Sequence, residues 1–195
     1  MKTQSVREQL LDHTFELIRR RGFNGFSYRD LADLVGVKTS SIHYYFPCKE
    51  DLALEAMRQY HLRIARELES IGPELPAAER AERYLSGLQK LSDANQVCMC
   101  SMLATEIESL PESVHKVLKD FYVFHERWLT ELLEQAKAEG ALVQGMEPAE
   151  LAMVILAALQ GGSVTTRLFC SPERWDAAAK LLRAAVGRPQ AVAAS

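Results

Sequence analysis

Residues 38–52, KTSSIHYYFPCKEDL, place three hydroxyls (39–41) beside four consecutive rings, His43, Tyr44, Tyr45 and Phe46. Hydroxyls, an imidazole and phenols at this density form a hydrogen-bonding surface with almost no charge. Such groups donate to phosphates or base edges, and small hydroxyls let a backbone come close to a groove. Lys38 at one end and Lys49 past the Pro-Cys turn add the charge a polyanion wants. A second kind of chemistry belongs to the cysteines at 48, 98, 100 and 170, which are too sparse for a disulfide scaffold and lack the C-x-x-C pairing of a zinc site. They are expected to be free thiols. A third is suggested by Glu112 and His115, one copy of the Glu-x-x-His half-site that di-iron bundles carry twice. No G-x-S-x-G, P-loop or dinucleotide fingerprint accompanies it, so neither catalysis, nor a cofactor, nor a metal site is expected.

Helical periodicity dominates the elements that must position these groups. Val6, Leu10, Leu11, Phe15, Leu17 and Ile18 recur at helical spacing and stop at Gly22. Ser27 with Asp30 three residues on reads as a capping pair opening a short helix that ends at Gly36. The stretch from 39 to 46 allows only two turns before Pro47. Three helices, the last two joined by a tight glycine turn, spell helix-turn-helix. With Ile42 facing the core, Phe46 shares its face and Tyr45 leans toward it, while Ser40 and Tyr44 point away, flanked by Ser41 and His43.

Beyond Cys48 the pattern predicts a long helix to about Gly72, then helices over 77–92, 98–109, 111–138, 148–168 and 172–187. The expectation is an all-α protein of about nine helices: a helix-turn-helix domain over 1–50, a helical ligand-binding and dimerisation domain over 51–187, and a tail over 188–195. The net charge of -3 hides an asymmetry, because residues 1–49 carry eight Lys/Arg against five acids. Only that end suits a polyanion. The start lacks the apolar stretch of a signal peptide, and the longest uncharged apolar run, 151–159, falls short of the roughly 20 residues of a membrane span. A cytoplasmic protein with no membrane partner is expected.

The run from Gly22 through FSYRDLADLVGVKTSSIHYYFPCKEDL resembles the DNA-binding domain of the TetR family of bacterial transcriptional regulators, over about residues 5–55. The resemblance implies a homodimeric, all-α, ligand-responsive regulator, most often a repressor on a palindromic double-stranded operator. By position, Arg29, Thr39, Ser40 and His43 resemble the family's base-facing side chains, and Ser27, Tyr28, Ser41, Tyr44, Tyr45 and Lys49 its phosphate contacts. His43 stands where the family usually has tyrosine. The apolar, small-residue helices 148–168 and 172–187 resemble its four-helix dimer interface. CMCSMLATEIESLP (98–111) is similar to a segment of one subgroup in which some members sense electrophiles, with Cys98 at the sensing position.

Phe121, Phe124, His125 and Trp128 share one face of a long helix and could line an apolar pocket for an unknown small-molecule effector; the resemblance implies that Met102 and Glu106 face the same region. A core stripe is the alternative. Cys98 and Cys100 are expected on different faces of one helix, with no easy disulfide between them. A helix-turn-helix protein acting mainly through a protein partner is the competing reading of the whole chain.

Overall fold

A computed structural model describes residues 4–91, 96–142 and 145–187. Nine α-helices, and no strand, occur among them: α1 Val6–Arg21, α2 Tyr28–Val35, α3 Thr39–Tyr45, α4 Lys49–Glu69, α5 Ala77–Leu91, α6 Met99–Thr105, α7 Glu112–Ala138, α8 Pro148–Phe169 and α9 Glu173–Val186. The tail from 188 lies outside the described residues.

Local chemistry explains the ends of these helices. Ser5 and Ser27 each close a capping box, with Glu8 and Asp30 returning a carboxylate to the cap N–H. At the helix-turn-helix corner Gly36 is left-handed, with φ 73°, and the N–H groups of Gly36 and Val37 both reach Ala32 O. The helix expected over 98–109 divides in two: α6 stops at Thr105 and a 3-10 turn covers Ile107–Ser109. The break falls at Glu106, whose φ of -109° and ψ of 18° leave the helix, and the 3-10 turn itself stops where Leu110, the residue before Pro111, is extended.

The chain forms two compact units. The first contains residues 4–64 and 96–121, so α6 belongs with α1–α3 and the start of α4. Its core is Leu10, Leu11, Ile18, Leu31, Ile42, Leu52, Met57, Met99 and Leu103, all essentially inaccessible. Each contributes roughly 1.5–3 kcal/mol by leaving water. The second contains the end of α4, α5, the rest of α7, α8 and α9. There α9 packs on α8 and α5, and Arg183 grips Glu82 through two hydrogen bonds of 2.6 and 3.0 Å.

By length and composition α8 is apolar enough to cross a bilayer, which a search for an uninterrupted apolar run misses because Gln160, Gly161, Gly162 and Ser163 interrupt it. One side of α8 buries Leu151, Ala152, Ile155, Leu156 and Leu159. The other exposes Met153, Val154, Val164, Leu168 and Phe169, and Leu181 of α9 is exposed as well.

Candidate nucleic-acid interface

The second and third helices present the expected surface. Ile42 is fully buried and Phe46 nearly so, which turns Thr39, Ser40, His43 and Tyr44 of α3 to solvent. Tyr44 is 82% exposed, its ring edge-on to Tyr45 at 5.0 Å; nothing in the fold of this unit needs it there. Ser41 is half-buried, and Arg29 lies exposed in the first turn of α2. The His43 ring packs edge-on against Tyr28 at 4.9 Å, and its Nδ1 lies 3.1 Å from Pro47 O. A carbonyl can only accept, so Nδ1 is the donor in this contact. The Ser27 hydroxyl is engaged with Asp30, whose carboxyl is held below its ordinary pKa by that bond, by the Ser27 N–H and by Arg21.

Two residues expected at phosphates point inward instead. The Tyr28 hydroxyl reaches Phe46 O at 2.9 Å and Cys48 O at 2.5 Å, and burial drives its pKa far up. Its one proton is used inside the domain. The Lys49 ammonium donates to Phe23 O and Phe26 O and sits 4.5 and 4.1 Å from those two ring centroids. Desolvation lowers its pKa, and the negative charge of Glu106 opposes that shift. Sequence spacing alone hid this, because the carbonyls Lys49 binds lie 26 and 23 residues upstream.

Glu106, a candidate ligand residue, completes the same clamp. Its carboxylate accepts from Phe23 N at 2.5 Å and from Asn24 N and Nδ2, both at 3.2 Å. The loop between α1 and α2 is thus held by a cation on its carbonyls and an anion on its amides. Gly22, with φ 80°, permits the approach, since a Cβ there would stand 2.7 Å from Glu106 Oε2. At the other end of α6, Val97 N donates to Arg19 O at 3.2 Å and Arg19 Nε returns to Val97 O at 3.3 Å. The short helix α6 is therefore tied at both ends to the end of α1 or the loop that follows.

The remaining candidates fall into two clusters, one per unit, each built on a tyrosine the sequence reading did not single out. In the first unit Tyr60 lies 3.9 Å from Cys98 Sγ and packs against Phe121 at 5.8 Å. Cys98 stands at the N-cap of α6 with an extended backbone, so its thiol turns toward Cys100 rather than away from it. The Cys100 thiol, the N–H groups of Ser101 and Cys100, and the Tyr60 hydroxyl all stabilise the Cys98 thiolate against burial and lower its pKa to about 6. Cys100, buried and acting as donor, is pushed well up. Met102 is half-buried on α6. In the second unit Tyr84 stacks on Trp128 at 5.0 Å, and its hydroxyl lies 3.2 Å from His125 Nδ1. Phe124 meets His125 edge-on at 6.0 Å, and Arg80 covers Trp128 at 5.1 Å.

Known proteins carry the same two parts. The family model "Bacterial regulatory proteins, tetR family" matches residues 10–56, and "Tetracyclin repressor-like, C-terminal domain" matches residues 77–182. The HTH-type transcriptional repressor DhaR of Mycobacterium sp. (strain GP1) is 20% identical over 181 residues, covering 90% of this chain and 89% of that protein. A TetR-family regulator from Agrobacterium tumefaciens superposes with a TM-score of 0.85 at 29% identity, over 91% of this chain and 95% of the other. One from Legionella pneumophila gives 0.84 at 28%, over 93% and 97%. With a helix-turn-helix whose outer face is polar, and matches that extend through the helices behind it, the chain belongs to the TetR family of bacterial regulatory proteins, and it is a DNA-binding transcriptional regulator.

Proposed function

We propose that the protein binds a palindromic operator as a homodimer and represses transcription until an effector, or modification of Cys98, releases it. The observation that carries this reading is the outer face of α3, where Tyr44 is exposed with no intramolecular task except an edge contact to Tyr45. Arg29, Thr39, Ser40 and His43 face base edges, and Ser41, Tyr44 and Tyr45 reach phosphates, while Ser27 gives both its hydroxyl and its N–H to Asp30 and caps α2. Tyr28 and Lys49 hold the frame. With Nδ1 engaged by Pro47, a neutral His43 ring offers an acceptor to the exocyclic amine of adenine or cytosine.

The exposed apolar face of α8 with Leu181 of α9 supports self-association through these helices. A two-fold dimer then meets half-sites about 34–36 Å apart. The effector contacts proposed in the second unit are Phe124, His125 and Trp128. Cys98, Met102 and Phe121 belong to the regulatory end of the first, where α6 is bonded to α1. Glu106 acts on the α1–α2 loop rather than on an effector.

Selection from a random duplex library with reduced protein at near-physiological salt tests the reading. Enrichment of a two-fold sequence is the expected result. Folded dimer that enriches nothing, and shows no salt-sensitive DNA binding, favours a protein partner instead.

A further inference from the structure

Three sulfur atoms meet in the core of the first unit. Cys100 Sγ lies 3.8 Å from Met57 Sδ, and the Cys100 thiol hydrogen-bonds the sulfur of Cys98. Tyr60 flanks the group at 3.9 Å from Cys98 Sγ. Cys100 and Met57 are fully buried, and Cys98 is partly exposed as a residue. Two thiols and a thioether are the donors that soft ions prefer and hard ions do not. A metal about 2.3 Å from each of three sulfurs in a plane holds them ~4 Å apart, close to the 3.8 Å between Cys100 and Met57. The described residues contain no cluster of three His, Cys, Asp or Glu that could hold a harder ion.

We propose that Cys98, Cys100 and Met57 form a binding site for one soft monovalent cation of the copper(I) class. On binding, both thiols lose their protons to solvent, two metal–thiolate bonds and one thioether contact form, and no electron is transferred. The product carries one net negative charge, offset by Arg19, which acts electrostatically on the adjoining Tyr60. The site stands on the sulfur geometry. Its consequence, that a bound ion shifts α6 against α1 and changes operator affinity, rests on the regulator reading.

The experiment is anaerobic titration of the full-length, reduced protein with copper(I) against a chromogenic copper(I) chelator. A Cys48→Ser/Cys170→Ser background removes the two exposed thiols. The expected result is retention of one ion per chain, lost in Cys100→Ala and weakened at least about tenfold in Met57→Leu, which preserves core volume. No retention, or retention indifferent to both changes, overturns the site. Unfolding temperatures of the metal-free variants check folding, and if Cys100→Ala does not fold, Met57→Leu carries the test. Operator binding by metal-free protein, measured alongside, separates failure of the site from failure of the regulator reading. Retention with unchanged operator affinity supports the site and removes only its coupling to DNA.

Discussion

At the scale of single residues, solvent exposure and hydrogen-bond partners separate side chains free to read DNA from those that hold the reader. Tyr44 faces water and Lys49 faces two carbonyls, although both are hydrogen-bond donors at the end of a helix-turn-helix. Tyr44→Ala should weaken binding to all sequences and lower the salt slope little, whereas His43→Ala should relax base preference at one position per half-site, by about 1–3 kcal/mol. Lys49→Ala should weaken DNA binding through the loop it holds while leaving the salt slope unchanged. A slope smaller by about one would instead make Lys49 a phosphate contact. Competitive binding at several salt concentrations reads all three.

Cys98 gives a residue-scale pH dependence. Its thiolate is favoured over the thiol in the fold, so alkylation by iodoacetamide should reach half its maximal rate near pH 6, rather than near the ~8.5 of a free cysteine. Because the folded pKa lies below the unfolded one, the associated stability is present above the unfolded value and is lost as pH falls through about 6. Cys100→Ala removes the largest stabilising bond and should move the alkylation midpoint upward. A midpoint that does not move would remove the Cys100 thiol as the cause.

Among elements, α6 has a role out of proportion to its seven residues. It ends in the carboxylate that caps the α1–α2 loop and begins beside the reciprocal Arg19–Val97 bonds. Removing Glu106 strands the amides of Phe23 and Asn24 and takes away the largest of the negative charges that favour the Lys49 ammonium. Glu106→Ala should cost about 1–3 kcal/mol of stability and weaken operator binding, and Glu106→Gln, which keeps an acceptor, should restore part of both. Thermal unfolding and DNA titration of the two variants decide it. Equal loss of stability with unchanged operator affinity would reduce Glu106 to a purely structural cap.

For the whole molecule, the proposed dimer rests on the outward face of α8. Leu168 is 72% exposed and Val164 43% exposed on one helix, an apolar surface unsuited to water. Leu168→Glu should shift sedimentation from dimer to monomer and abolish tight operator binding, while leaving helical content by circular dichroism unchanged. A monomeric wild-type protein at micromolar concentration would remove α8 as the interface.

The sequence by itself determined the helices, the helix-turn-helix corner and the outer face of α3, because caps, glycine turns and 3.6-residue periodicity act within a few residues. Ser27 with Asp30, Gly36 and Ile42 each announce their role to near neighbours. The resemblance carried the reading as far as the regulator family. Only the tertiary structure decided the uses of Tyr28, Lys49 and Glu106, since the carbonyls and amides that claim them lie 18 to 83 residues away. It alone also brought Met57, Cys98 and Cys100 together, and it started α6 at Met99, so that an N-cap cysteine turned toward its neighbour. A charge or a thiol is legible in sequence as chemistry, but its partner is set by packing between distant segments, and periodicity within one helix carries no information about that partner.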